Sequence, residues 1–147
     1  MRVDFYQLDD DGAGAGVLAA IAGKLAEQGE RLLLVSEDEA QLASLDRILW
    51  EEGGKTSFLA HGIEGQGRDA DQPVLLSTRM IAANSARNVA LADGSWRAAA
   101  LDYERAFMLF DDSTIAGARE AWKSLGDTEG VERHYWAREE GKWVQKA

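Results

Sequence analysis

Cysteine is absent from the sequence, and its absence excludes several kinds of site at once. Without thiols the chain has no disulfide framework, no thiolate nucleophile and no cysteine-ligated zinc. Histidine is scarce, because only His61 and His134 occur, and they do not have the spacing of a metal-binding pair. We therefore expect both histidines to be structural or surface residues, and we expect no metal ion or cofactor.

Long hydrophobic runs and an excess of basic charge are missing as well. No stretch approaches the roughly 18 apolar residues of a membrane span. Residues 1–7 also lack the basic start and apolar run of a signal peptide. The net charge of -10 disfavours a protein whose main task is to neutralise the phosphates of DNA or RNA. These absences predict a cytoplasmic protein that binds neither a membrane nor nucleic acid directly.

The residues that are present fit a single domain spanning residues 1–147, since 46% of them are hydrophobic and can form one sizeable core. Their charge is uneven. Residues 1–112 contain 10 basic and 20 acidic side chains, whereas residues 113–147 contain six of each. An acidic partner would therefore meet the least repulsion at the C-terminal segment, which also holds three of the five tryptophans: Trp122, Trp136 and Trp143.

Strand and helix patterns alternate along the chain. Five short runs predict buried strands at residues 3–8, 31–35, 74–76, 88–92 and 106–110, and most of them are nearly continuous apolar runs, as parallel strands covered on both faces should be. Helical patterns cover residues 13–28, a segment from a capping box of Ser36 and Glu39 to about residue 52, and a segment from Asp112 or Ser113 to Gly126. This order predicts an α/β fold with a single open, mostly parallel sheet, helices on both faces and a Rossmann-like topology.

Two segments have less regular patterns. Residues 53–72 carry five glycines, and a long loop of this kind is usually functional or mobile. Residues 131–144 are rich in aromatic side chains and predict an edge strand or a hairpin.

Gly14, Gly16 and Ala19 fit the G-x-G-x-x-A pattern of a dinucleotide-binding turn, and Glu37 follows about 20 residues later. The turn is preceded by three aspartates at residues 9–11, whose charge would repel a pyrophosphate. Glycine at such a place also serves tight turns and close packing. We therefore do not expect a nucleotide site.

The same aspartates suggest a second enzyme hypothesis, a Mg²⁺-dependent phosphatase or phosphotransferase that uses Asp9 and Asp11. Polar residues follow several predicted strands, and the carboxyl edge of a parallel sheet is where such folds bind ligands. A phosphatase pattern would nevertheless need Thr or Val at Ala13 and a lysine after the third strand. Strand-end acids also cap helices, as Asp112 is expected to do. The polar residues in question are Asp9, Asp11, Ser77, Thr78, Asp111 and Asp112.

The last predicted helix carries Arg119, Trp122 and Lys123 at positions i, i+3 and i+4, so all three project from one face. Arginine can hold a carboxylate through two parallel hydrogen bonds, lysine adds a second positive charge, and tryptophan offers a broad apolar surface. This combination suits an acidic peptide that ends in a large apolar residue with a free carboxylate. The alternative is that Trp122 packs into the core while Arg119 pairs with a nearby acid.

Five segments carry a resemblance to a known family: DFYQL at residues 4–8, LDRILW at 45–50, SFLAH at 57–61, QPV at 72–74 and AREAWK at 118–123. In their order and spacing they resemble the chi subunit of bacterial DNA polymerase III, a part of the clamp-loader assembly. The resemblance implies an α/β fold like that of nucleotide-binding proteins but without nucleotide chemistry. It also implies a polymerase holoenzyme component that is not itself an enzyme.

The resemblance implies two partners. One is the acidic C-terminal tail of single-stranded DNA-binding protein, which ends in a proline and a phenylalanine. By the family pattern Arg119 and Lys123 would hold its carboxylates, and Trp122, where many members have tyrosine, would line the apolar pocket. The other partner is the small psi subunit, which would dock near Trp50 and Phe58. Many members have proline where this chain has Ala60, and the loop around that position is glycine-rich. This chain therefore departs from the family pattern at the psi site, and a psi partner stays an open expectation.

Overall fold

The computed structural model describes residues 1–8, 13–53, 61–140 and 142–147. Within these ranges the chain forms eight strands and three α-helices. None of the helices in the described part of the chain is long and apolar enough to cross a membrane. In chain order the elements are β1 (Arg2–Gln7), α1 (Ala13–Glu27), β2 (Leu32–Val35), α2 (Glu39–Gly53), β3 (His61–Ile63), β4 (Val74–Ser77), β5 (Asn88–Leu91), β6 (Arg105–Phe110), α3 (Ile115–Gly126), β7 (Glu132–Glu139) and β8 (Lys142–Gln145).

The strands form one sheet in the order β3-β4-β2-β5-β6-β1-β7-β8. Neighbouring strands are parallel throughout, except that β8 runs antiparallel to β7. The predicted open, mostly parallel sheet is therefore confirmed, and all five strands expected from apolar runs are present. Because the first seven strands are parallel, their carboxyl ends meet at one edge of the sheet.

Helices cover both faces of this sheet, as predicted. In β2, Leu32 and Leu34 pack into the core layer of α1 and α2, whereas Leu33 and Val35 pack into the layer of α3. Successive side chains of a strand point to opposite faces, so a fully apolar strand serves both layers. The helices contribute Val17, Leu18, Leu25, Leu42, Leu45 and Leu49 to the first layer and Ala118, Ala121 and Leu125 to the second.

The glycine-rich region is not wholly a loop, because β3 lies within it and pairs in parallel with β4. This strand is three residues long and contains one large apolar side chain, Ile63. So short a strand carries no periodic signal, and pairing with β4 defines it. Residues 54–60 of the same region, including Phe58, lie outside the described residues.

The start of α2 differs from the predicted capping box. Asp38 Oδ1 accepts hydrogen bonds from the N–H groups of Ala40 and Gln41 at 3.0 and 3.3 Å, which makes Asp38 the N-cap. Ser36 Oγ instead accepts from the Asp38 N–H and donates to Gln41 Oε1. Glu39 is the first residue of the helix rather than its third, because Asp38 is close enough to reach the first-turn amides.

The start of α3 also lies later than predicted, at Ile115 rather than at Asp112 or Ser113. The Asp111 carboxylate accepts a hydrogen bond from the Ser113 N–H, and the Asp111 N–H donates to Thr114 Oγ1. These two bonds close a turn before the helix begins. The expected cap by Asp112 is therefore wrong, because its neighbour Asp111 organises the turn.

The aromatic segment at residues 131–144 forms the hairpin of β7 and β8, as predicted. β7 pairs in parallel with β1, and the register sets Arg133 beside Val3 and Tyr135 beside Phe5. Val3 and Phe5 belong to the core layer of α3. Arg133 and Tyr135 therefore lie on the same side of the sheet as α3.

Candidate docking surface

The α3 helix presents two different faces. Ala118, Ala121 and Leu125 are buried against the sheet. Arg119 and Lys123 are exposed, and Trp122 between them is partly buried. The spacing of apolar and charged residues at three and four positions apart produces this division. The structure therefore brings the three predicted residues of this helix to one surface.

Trp122 is held by aromatic neighbours from two strands. Its ring centroid lies 5.3 Å from that of Phe5 and 5.8 Å from that of Tyr135, with the rings almost perpendicular in both pairs. Edge-to-face contacts of this kind stabilise aromatic pairs beyond the area they bury. Trp122 thus packs one side against the core, as the alternative to docking predicts. Part of its surface stays open to solvent, as docking requires.

Arg133 of β7 adds a third cation to this surface. Its guanidinium carbon lies 4.2 Å from the centroid of the Trp122 ring, within the range of a cation–π contact. No sequence pattern indicates this residue, because residues 131–144 predict only an edge strand or a hairpin, and no spacing rule connects Arg133 to α3. We call Arg119, Trp122, Lys123, Arg133 and Tyr135 together the docking surface.

The cations of the docking surface have no counter-charge among the described carboxylates. Neither Arg119, Lys123 nor Arg133 makes an ion pair with a carboxylate among the described residues. The Tyr135 hydroxyl donates to Gln7 Oε1, and burial raises the pKa of Tyr135 while the positive charge of Arg119 opposes that rise. The surface is therefore positively charged in a chain whose net charge is -10.

Trp50, one of the two residues expected at a second docking site, lies at the other end of the sheet. Trp50 near the end of α2 is 47% exposed, and its ring centroid lies 4.4 Å from that of His61. His61 is buried, and its Nε2 lies 3.1 Å from the Asp46 carbonyl oxygen, which fits the structural role expected of it. The other expected residue, Phe58, lies outside the described residues.

Comparison with known proteins identifies the family of this chain. The family model described as DNA polymerase III chi subunit, HolC, matches residues 1–132. The chain belongs to the DNA polymerase III chi subunit family. A protein of Pseudomonas aeruginosa named DNA polymerase III subunit chi is 38% identical over 77 residues, which cover 51% of this chain and 52% of that protein. The chain thus matches this curated relative over about half of the relative's length.

The match to the chi family divides the docking surface. The three residues of α3 lie within residues 1–132, whereas Arg133 and Tyr135 follow the end of the matched region. The family match therefore does not cover the part of the surface that β7 contributes.

Polar residues at the carboxyl edge of this chi-family sheet are engaged with one another. Ser77 Oγ donates to Glu64 and accepts a hydrogen bond from the Arg79 N–H at 3.0 Å. The hydrogen bonds from Arg79 and Ser77 hold the pKa of Glu64 below its usual range. Ser77 and Thr78 line a cavity of about 240 Å³ beside α2.

Asp111 lines a different cavity, of about 430 Å³, together with Asp93 and Asp38. Asp93, which no sequence pattern indicates, follows β5 and accepts hydrogen bonds of 3.0 and 2.7 Å from Arg97 and one from the Glu37 N–H. Burial would raise the pKa of Asp93, but these hydrogen bonds hold it below its usual range. This carboxylate therefore acts as an internal partner of Arg97.

The strand-end residues that the structure describes do not form one site. Ser77 and Thr78 line one cavity and Asp111 another. Asp9 and Asp11 lie outside the described residues, so the structure does not test the hypothesis of a phosphatase site at these two aspartates. Within the described residues, no group of three or more His, Asp or Glu side chains is arranged to hold a metal ion.

The glycine pattern falls inside a helix rather than in a turn before it. α1 begins at Ala13, so Gly14 and Gly16 both belong to its first turn. A Cβ added at Gly16 would meet no atom within 4 Å, which means that close packing does not explain this glycine. Glu37 has a largely exposed side chain.

Proposed function

We propose that this chain is a non-catalytic accessory subunit of the bacterial DNA polymerase III holoenzyme, within the clamp-loader assembly. In this role it binds the acidic C-terminal tail of single-stranded DNA-binding protein and links the polymerase to coated single-stranded DNA. One observation carries the proposal: exposed cations surround a partly buried tryptophan, and no carboxylate of the described residues pairs with them. Membership of the chi family supports the same assembly.

The chemistry of the docking surface fits an acidic peptide with an apolar end. Arg119 can take a carboxylate through two parallel hydrogen bonds, and Lys123 one turn along adds a second charge-assisted bond. The open part of Trp122 gives a broad surface on which an aromatic side chain can pack. Tryptophan and arginine are also the residues that most often dominate protein interfaces.

A psi subunit is the second partner in this proposal, at the end of α2. Trp50 supports it, because a large apolar side chain that is 47% exposed is common at a protein interface. In this proposal the psi site includes Trp50 of α2, whereas the tail site lies on α3 and β7. The two partners would therefore bind at separate places and could be held at the same time.

Calorimetric titration with a synthetic acidic peptide that ends in proline and phenylalanine tests the tail site. We expect the wild-type chain to bind, and we expect the double variant Arg119→Ala, Lys123→Ala to bind at least about tenfold more weakly, since two charge-assisted bonds are lost. Arg47→Ala is the matched control, because Arg47 is an exposed arginine on α2. Wild-type affinity in the double variant would remove the proposed site.

Titration of the same peptide with an amidated C-terminus identifies the group that is recognised. Loss of the terminal carboxylate should weaken binding if Arg119 or Lys123 holds it. Affinity should also fall as the salt concentration rises, because exposed charges are screened.

A further inference from the structure

The Arg133 side chain bridges β7 and the last turn of α3. Its guanidinium lies over the Trp122 ring at 4.2 Å, and its Nη1 donates a hydrogen bond to the Trp122 carbonyl oxygen. A carbonyl near the C-terminal end of a helix attracts a cation, because the last carbonyls have no intrahelical donor. One arginine thus contacts both the ring and the backbone of the tryptophan at the centre of the docking surface.

Gly126, the last residue of α3, makes room for this arrangement. A Cβ added there would lie 2.8 Å from both the Arg133 guanidinium carbon and its Nη2. A side chain at this position would therefore displace the guanidinium. Glycine leaves the space below the last helical turn free for it.

No described carboxylate neutralises the charge of Arg133. It makes no ion pair with any of the described carboxylates, although Glu132 precedes it directly in the chain. Alternation along β7 sends the Glu132 side chain to the opposite face of the sheet, where it contacts His134 at 3.1 Å. Only one of the five N–H groups of the guanidinium has a described protein acceptor, so the others remain for a ligand.

We propose that Arg133 is a ligand-contacting, specificity-determining residue of the docking surface, which pairs with a carboxylate of a bound acidic peptide as a third cation. This inference rests on the proposed tail-binding function and adds the strand half of the site to it. The stacked position of the guanidinium fixes the third cation beside Trp122. The site then favours peptides that carry an acidic side chain within reach of Arg133 when their apolar C-terminal residue contacts the Trp122 ring.

The test compares two variants of Arg133 in peptide titrations at several salt concentrations. Arg133→Gln removes the charge, and we expect it to weaken binding about tenfold and to reduce the salt dependence of the dissociation constant. Arg133→Lys keeps the charge but loses the planar fork, and it should bind within about threefold of wild type. Arg47→Gln, an exposed arginine of α2, should change neither quantity.

Each outcome decides the question. An Arg133→Gln variant that binds within twofold of wild type overturns the proposal. Arg133→Lys binding as weakly as Arg133→Gln also overturns it, since packing on Trp122 rather than charge would then be the contribution. A wild-type chain that does not bind the peptide at all instead refutes the tail-binding function itself. Near-ultraviolet circular dichroism of each variant verifies that the tryptophans keep their native surroundings.

Discussion

Two regions of the sheet place arginines beside aromatic rings, and they differ in the source of the counter-charge. On one face the Asp4 side chain, which is 0% exposed, accepts hydrogen bonds from Arg2, Arg105 and Trp136. We call these four residues the Asp4 cluster. On the other face the cations of the docking surface contact Trp122 or solvent but no described carboxylate. The same residue types therefore form a closed network in one region and an open one in the other.

This difference teaches how a chain with a net charge of -10 can still attract an acidic partner. An arginine that pairs with a buried carboxylate offsets the cost of burying that charge, and less of its own charge is left for a ligand. An arginine without a described carboxylate partner keeps its charge for binding. The internal pairing of cations, rather than the net charge of the molecule, decides which face can bind acids.

Removal of the Asp4 carboxylate should have the largest effect on stability. Asp4→Ala leaves Arg2 and Arg105 without their shared acceptor and opens a cavity, so we expect the free energy of unfolding to fall by about 3 kcal/mol or more. Asp102→Ala is the control, since Asp102 is exposed and its loss should cost less than about 0.5 kcal/mol. Urea unfolding of the two variants measures the difference, and equal costs would contradict the contrast between the regions.

The sequence predicts most of the fold because the core strands carry their signal locally. Five strands are four to six residues long, and four of them are nearly all apolar. The helices between them show the expected periodicity. β3 carries no such signal, because three residues cannot show a period and pairing with β4 defines them. The strand order also depends on contacts between distant segments, such as β1 between β6 and β7.

The docking surface is predicted only in part, for a related reason. The helical spacing alone brings Arg119, Trp122 and Lys123 to one face. Arg133 joins them because β7 pairs in parallel with β1, and that pairing turns its side chain towards α3. No residue of β7 announces this register in the sequence.

Acid should weaken the Asp4 cluster, which depends on an ionised carboxylate, before it affects the docking surface. Burial would raise the pKa of Asp4, but hydrogen bonds from Arg2, Trp136 and Arg105 hold it below its usual range. A carboxyl group with a lowered folded-state pKa stabilises the protein fully above its unfolded pKa of about 3.9. That stabilisation is lost as the pH falls through the lower folded-state value.

We therefore expect the stability difference between wild type and Asp4→Asn to be constant from pH 7 to about pH 5 and to narrow below about pH 4. Urea unfolding at a series of pH values measures it. Arg119→Gln should instead lose stability with acid in parallel with wild type, because Arg119 has no described carboxylate partner. A gap for Asp4→Asn that persists unchanged to pH 2.5 would argue against ionised Asp4 as the centre of the network.

The smallest stability effects should come from the docking surface itself, and their order is informative. Arg119→Gln and Lys123→Gln should each change the free energy of unfolding by less than about 0.5 kcal/mol, since both side chains are exposed and unpaired. Arg133→Gln should cost about 1 kcal/mol, because it loses the cation–π contact and the bond to the Trp122 carbonyl. Thermal and urea unfolding rank the three variants.

A loss above about 1 kcal/mol for Arg119→Gln would mean that its charge already has an internal partner and is not held for a ligand. The stability ranking should also differ from the binding ranking. Each of the three substitutions removes one positive charge from the docking surface, so each should weaken the binding of the acidic peptide. Only Arg133 should contribute measurably to the stability of the fold. Separation of the two rankings is what an open network of cations requires, because its charges acquire counter-charges only when the peptide binds.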